Sequence, residues 1–252
     1  MNSAAMLPSI SARWLVCLLL LFGLHPWTWA ADTNQTIRPL VRFLMESEVD
    51  LKGIPFAEVV QATTGHQVIP LNPGSETDRA LLARVGRALD KVLMQMNAPD
   101  SPAQQPKRIN EASSHFENAI KKALNEIEGF ACDFPKTTAG KTQRSGYPDL
   151  RLVDKASGRV VYLDPKLFAA GSRSSSLRTF YFEPKKETNK INDDAHHLII
   201  GIEHDAGKLG QWKFLRWELV DLSGFHVRLK AEFQGSNKDL YRPEAIVGRS
   251  QQ

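Results

Sequence analysis

Two aspartates and a lysine in the second half of the chain are spaced so that they could act on a phosphoryl group together. Asp149 begins one β-like run, and Asp164 and Lys166 end the next, with the turn sequence Asp-Lys-Ala-Ser-Gly at 154–158 between them. A short junction that ends in glycine predicts a β-hairpin. Folding the chain back at this turn brings Asp149 opposite Asp164. Lys166 lies two residues from Asp164 and therefore projects from the same face of the strand.

Two carboxylates and one ammonium at a strand end suit a hard divalent cation. Mg²⁺ takes one or two carboxylates together with waters and phosphate oxygens, and Mn²⁺ accepts similar ligands. Such an ion lowers the pKa of a bound water, while Lys166 would stabilise charge on the attacking or leaving oxygen. The alternative interpretation is a surface hairpin whose charged side chains are simply solvated.

The segment Pro148-Asp149 … Asp164-Pro165-Lys166 resembles the PD-(D/E)xK signature of the restriction-endonuclease-like nucleases. The resemblance covers residues 110–235 and includes the amphipathic helix before the hairpin, where Glu117 matches the family's helix acid better than Glu111 or Glu126. It implies a Mg²⁺ or Mn²⁺ ion held by Asp149, Asp164 and Glu117, with Lys166 as the catalytic ammonium. It also implies a nucleic-acid substrate, with DNA favoured over RNA. Pro165 fills the variable position, where its carbonyl could still bind metal although it has no N–H for the sheet.

A basic segment follows the signature and is the best candidate for contacts with a phosphate backbone. Tyr181 and Phe182 lie within it and could stack on bases. The alternative is a mobile, solvated loop. The predicted nucleic-acid-binding residues are Arg173, Arg178, Lys185, Lys186 and Lys190.

Hydrophobic spacing predicts helices at 56–64, 76–96 and 111–128, and it favours helix in the region that precedes them. β-like runs at 149–153, 159–163, 198–202, 212–222 and 225–233 predict a five-stranded sheet, with a helix between the second and third runs. This order indicates an α/β or α+β domain. With the resemblance, we expect an α/β restriction-endonuclease-like core, a mixed central sheet flanked by helices, preceded by a small helical region.

The chain is predicted to contain four parts after a leader. Residues 31–97 form the helical region, residues 98–110 a linker rich in proline and glutamine, residues 111–235 the nuclease-like domain, and residues 236–252 a tail. The helical region carries no recognisable site chemistry, and both a lid and a surface for partner docking stay open as its role.

Residues 1–30 have the layout of a secretory signal peptide, with one arginine, an apolar run and small residues before Ala31. A retained anchor is the alternative. We therefore expect a periplasmic or secreted protein that begins at Ala31 and does not bind the membrane. Its one remaining thiol, Cys132, cannot form an intramolecular disulfide and is interpreted as a buried apolar residue.

The overall composition is that of a globular protein, with 42% hydrophobic and 24% charged residues. It excludes collagen-like, coiled-coil and wholly disordered chains. The net charge of +4 permits a polyanionic partner without requiring one. We expect an exported, metal-dependent nuclease that hydrolyses phosphodiester bonds. The alternatives are a secreted binding module that keeps the fold without catalysis, and a hydrolase of another phosphoester.

Overall fold

A five-stranded mixed sheet, covered on one face by two long helices, forms the centre of the protein in a computed structural model that describes residues 33–47, 51–205 and 211–250. The helices are α1 (Thr33–Glu46), α2 (Phe56–Thr64), α3 (Glu76–Met96), α4 (Ile109–Asn125) and α5 (Asn237–Leu240). The strands are β1 (Ile54–Pro55), β2 (Phe130–Asp133), β3 (Leu150–Asp154), β4 (Arg159–Ala169), β5 (His196–His204), β6 (Phe214–Asp221) and β7 (His226–Val227). The chain divides into the unit Met1–Ser47, which contains α1, and the unit Glu48–Gln252, which contains the other elements.

The sheet has the strand order β2-β3-β4-β5-β6. Strands β4 and β5 run parallel, whereas every other neighbouring pair in the sheet is antiparallel. The predicted α/β fold of the restriction-endonuclease type, a mixed sheet flanked by helices, is therefore confirmed.

Side chains alternate between two hydrophobic clusters because successive residues of a strand point to opposite faces. On β4, Val161 and Leu163 enter the larger cluster, which also contains the buried faces of α3 and α4. Tyr162, between them, enters a smaller cluster on the opposite face with Phe56 of α2. Asp164 and Lys166 follow the alternation of Tyr162, so they belong to the face that the two long helices leave uncovered.

Helices α2 and α3 begin and end where their sequences predict, whereas α4 spans Ile109–Asn125 instead of the predicted 111–128. The side chain of Ser75 accepts a hydrogen bond from the amide of Asp78 and so caps the first turn of α3. Gly65 ends α2 with a φ of 79°, a conformation that glycine adopts without a steric penalty. Leu81, Val85, Leu89 and Val92 of α3 recur at helical spacing and are buried.

Two strand predictions require correction. The fifth strand of the sheet is β2, which follows α4 and pairs with β3, and it is not the run 225–233. In that run only His226 and Val227 form a strand, which pairs with β1 in a separate two-stranded sheet. Alternating hydrophobicity identifies extended chain but not its partner, and the four residues of β2 are too few to show a period.

The connection from β4 to β5 also differs from the prediction, because the structure describes no helix between Ala169 and His196. Parallel neighbours usually require a helical crossover. Here the crossover is an irregular segment that packs Phe180 and Phe182 against the smaller cluster.

The predicted linker 98–110 lies inside the second unit instead of separating two bodies. Its residues 102–104 form a 3₁₀ turn that buries Ala103 completely. The side chain of Gln104 donates hydrogen bonds to the carbonyls of Met96 and Trp212. Helix α3 consequently packs directly on α4 and β6, and the predicted region 31–97 does not form a unit of its own.

The predicted leader, residues 1–30, lies outside the described residues. None of the helices within 33–47, 51–205 and 211–250 is long and apolar enough to cross a membrane.

Candidate active site

The β3–β4 hairpin brings the three predicted chemical groups together at one end of the sheet. Leu150 pairs with Leu163, and continuing this register places Asp149 opposite Asp164. The ammonium of Lys166 forms an ion pair with Asp164 and lies 3.9 Å from Oδ2 of Asp149. The predicted juxtaposition of these residues is confirmed, and their catalytic roles stay predictions.

Burial disfavours the ionised forms of the two adjacent aspartates when no divalent cation is bound. The side chain of Asp164 is 2% exposed and that of Asp149 is 15% exposed. Burial and, after it, the negative charge of Asp164 raise the pKa of Asp149 to about 8, although Lys166 opposes the shift. Oδ2 of Asp164 is buried, and its contact is the ion pair with the ammonium of Lys166.

Glu117 lies near the acid pair on helix α4 but is already engaged. Its carboxylate accepts a 2.6 Å hydrogen bond from Arg144, in the segment that leads to Asp149. Its negative charge also contributes to the raised pKa of Asp149. Of the helix acids, Glu126 instead pairs with Lys91, and Glu111 is exposed in the first turn.

The donor set fits a divalent cation with two protein carboxylates. Within residues 33–47, 51–205 and 211–250, no three His, Cys, Asp or Glu side chains are grouped closely enough to hold an ion. Glu117 is not grouped with the two aspartates in this arrangement, and its role as a ligand stays a prediction. Asp149 and Asp164 remain as two adjacent, desolvated carboxylates, which is the number that Mg²⁺ commonly takes from protein.

Pro165 is accommodated because β4 outruns its antiparallel neighbour. Strand β3 begins at Leu150, opposite Leu163, so beyond that point only β5 pairs with β4. Proline is tolerated where a strand has a free edge. The departure from an N–H-bearing residue in the signature thus falls where the sheet can accept it.

The predicted nucleic-acid-binding residues separate into exposed and engaged groups. Lys186 is exposed, Lys185 pairs with neighbouring Glu183 at 2.6 Å, and the guanidinium of Arg178 lies 5.1 Å from the ring centre of exposed Tyr181. Arg173 donates two hydrogen bonds, of 2.6 and 2.7 Å, to Glu218 of β6. All four side chains are exposed, and their role in binding nucleic acid stays a prediction.

Lys190 does not belong to that exposed set. It is only 1% exposed, and burial lowers its pKa. Such a side chain has no surface with which to contact a phosphate. Phe182 is likewise unavailable for base stacking, because it packs edge-on against Phe56 at 5.7 Å between ring centres.

Sequence reasoning missed the contacts that hold the approach to Asp149. The hydroxyl of Tyr147 and Nδ1 of His197 are 2.8 Å apart in a hydrogen bond, and burial lowers the pKa of His197 to about 3. His197 therefore stays neutral near neutral pH and serves as a fixed, uncharged partner. Arg144, which binds Glu117, was also missed; adjacency to the signature was the one available signal.

The comparisons with known proteins extend beyond the signature. The family model of the type II restriction enzyme MjaV family matches residues 49–244. Over 208 residues the chain is 32% identical to the type II restriction enzyme MjaV of Methanocaldococcus jannaschii. The aligned residues make up 78% of this chain and 89% of that protein. The match includes α2 and α3, in agreement with their place in the second unit. The predicted relationship to the restriction-endonuclease-like nucleases is confirmed, and the chain belongs to the type II restriction enzyme MjaV family.

Proposed function

We propose that this protein is a Mg²⁺- or Mn²⁺-dependent endonuclease that hydrolyses phosphodiester bonds of DNA. The convergence of Asp149, Asp164 and Lys166 at the end of the β3–β4 hairpin carries the proposal. The 32% identical relative is named a type II restriction enzyme, which supports DNA as the substrate.

Asp149 and Asp164 are the residues that would hold the cation. When bound, a divalent ion supplies Lewis-acid polarisation of a phosphoryl oxygen and a more acidic water. The raised pKa of Asp149 supports this role, because two buried carboxylates share the single ammonium of Lys166 and retain an excess of negative charge.

Lys166 would act directly on the reacting phosphate. Its side chain is 32% exposed, whereas those of its two carboxylate partners are nearly buried, so its ammonium is the part of the group that solvent and substrate reach. A fixed ammonium stabilises negative charge that develops on the attacking or leaving oxygen. The two aspartates hold this ammonium in place without a covalent role.

The segment between β4 and β5 would hold the DNA backbone beside this site. Phe180 and Phe182 pack inward, with Phe180 5.2 Å from Tyr147 between ring centres. Between them, Tyr181 is 50% exposed and lies beside Arg178. An outward aromatic ring next to a guanidinium can stack on a base while the cation contacts a phosphate.

Replacement of Arg178, Lys185 and Lys186 by alanine should weaken DNA binding and flatten its salt dependence. The log–log slope should fall by about 0.9 for each duplex phosphate contact that is lost. Binding titrations between low and moderate salt measure the slope. A variant that loses the same charge at exposed Lys107, Lys155 and Lys238 is the control. Equal slopes in the two variants would contradict a role specific to this segment.

The assignment is tested by incubating the purified protein with plasmid DNA, single-stranded DNA and RNA, with Mg²⁺, Mn²⁺ or EDTA. We expect cleavage of plasmid that EDTA abolishes. Binding of DNA without cleavage under every metal condition would instead support a non-catalytic module. Cleavage of RNA alone would exclude the proposed substrate.

We further propose that the protein is exported, on the basis of the apolar run and the small residues that precede Ala31. The full chain, tagged at its C-terminus, is expressed in a bacterium, and we expect to recover the protein outside the cytoplasm. N-terminal sequencing of that protein should give Ala31 as its first residue. Recovery of a cytoplasmic protein that retains residues 1–30 would contradict export and leave the nuclease proposal intact.

A further inference from the structure

Lys190 is a lysine almost completely withdrawn from solvent beside the candidate active site. Its exposed fraction is 1%. Its ammonium donates hydrogen bonds to the main-chain carbonyls of Gly146, at 2.5 Å, and of Gln143, at 3.3 Å. A buried ammonium is costly unless its donors are satisfied and its charge is compensated. Both carbonyls belong to the segment 143–148, which leads directly into Asp149.

The charge of Lys190 is compensated through space by the acids of the site. Burial lowers the pKa of Lys190, and Asp149, Asp164 and Glu117 oppose this effect. No ion pair joins Lys190 to a carboxylate within the described residues, so its direct partners are main-chain carbonyls. The Lys190 side chain therefore holds the main chain of residues 143–146 in place and does not neutralise a carboxylate by direct contact.

The same segment is held at two further points by different elements. Arg144 donates to Glu117 of α4, and Tyr147 bonds to His197 of β5. Neither contact involves the carbonyls of Gln143 and Gly146. Among the described residues, the side chain that binds these two carbonyls is Lys190, near the end of the β4–β5 connection.

We propose that Lys190 is a positioning residue that fixes segment 143–148, and with it Asp149, at the place opposite Asp164 that cation binding requires. The inference rests on the proposed function for its catalytic consequence but not for its structural one. Mutation of a residue that orients a metal ligand typically lowers metal affinity or activity by about 10- to 100-fold.

The test compares Lys190→Met, which keeps most of the volume but removes the charge and donors, with Lys190→Arg, which keeps both in another geometry. Lys155→Met, at the exposed turn on the opposite end of the hairpin, is the matched control. Three quantities are measured on the full chain: amide hydrogen exchange of residues 143–149 without metal, the Mg²⁺ concentration that gives half-maximal thermal stabilisation, and kcat and KM for plasmid cleavage.

We expect faster exchange confined to residues 143–149 in Lys190→Met, with a 10- to 100-fold loss in apparent Mg²⁺ affinity and in kcat. KM and the salt dependence of DNA binding should stay unchanged, and Lys190→Arg should recover part of the loss. If Lys190→Met does not fold, the local exchange in Lys190→Arg carries the test.

Three outcomes would overturn the inference. Unchanged exchange in residues 143–149 would show that the segment does not depend on Lys190. A raised KM with a flatter salt dependence would make Lys190 a phosphate contact. Equal effects in Lys155→Met would show a nonspecific loss of charge. A wild-type protein that cleaves nothing would refute the proposed nuclease activity, while the exchange measurement would still decide the positioning role.

Discussion

Replacement of Asp164 by asparagine should lower Mg²⁺-dependent cleavage of DNA by at least about 10²- to 10³-fold, the usual cost of removing one preorganised electrostatic group. The amide preserves the shape of the side chain but not the charge that would hold the cation. In the metal-free protein, the variant should melt at the same or a higher temperature, because the repulsion that raises the pKa of Asp149 is relieved. Initial rates of plasmid cleavage and thermal melting check the two effects.

The response of melting to metal separates loss of the ion from loss of catalysis. At a concentration 100 times its Kd, Mg²⁺ should stabilise the wild-type protein by about 2.7 kcal/mol, and Asp164→Asn far less. Equal shifts in the two proteins would place the cation elsewhere and remove the foundation of the nuclease proposal. Glu117→Gln should cost less than Asp164→Asn, because Glu117 is bound to Arg144 and not grouped with the two aspartates.

Replacement of Lys166 by alanine should lower the rate of cleavage by a factor similar to that expected for Asp164→Asn, while metal binding stays intact. The ammonium acts on the reacting phosphate in the proposed mechanism and is not a ligand of the ion. The Mg²⁺-dependent melting shift should therefore persist, whereas kcat should collapse. Lys155→Ala, which removes a lysine from the far end of the same hairpin, should cleave at the wild-type rate. A loss of the melting shift in Lys166→Ala would assign the residue to the metal site.

The hairpin and its acids could be predicted because they depend on local sequence. A turn that ends in Gly158 fixes the register, and register alone puts Asp149 opposite Asp164. The same holds for α3, whose serine cap and repeated apolar positions define its beginning and its buried face. The basic side chains Lys185 and Lys186 were correctly expected on the surface because their neighbours are also polar.

The remaining features depend on contacts between distant parts of the chain. Lysine is usually a surface residue, so the sequence favours exposure of Lys190. Its burial is explained by the hydrogen bonds that its ammonium donates to the carbonyls of Gln143 and Gly146. The abundance of proline and glutamine in residues 98–110 predicts a linker. In the structure, the side chain of Gln104 forms hydrogen bonds with the main chain of Trp212, more than 100 residues away. Pairing of β7 with β1 rather than with the sheet is equally invisible in either strand's own sequence.

The buried thiol of Cys132 can report local opening of the protein. Its exposed fraction is 5%, and burial raises its pKa to about 12, so the reactive thiolate hardly exists in the closed protein. Cys132 pairs with Leu152 across β2 and β3, which makes modification dependent on separation of the strand that adjoins the hairpin. The rate of labelling by a small alkylating reagent then follows the equilibrium of that separation. Ligands that tighten the hairpin will register as slower labelling, without any dye or engineered tag.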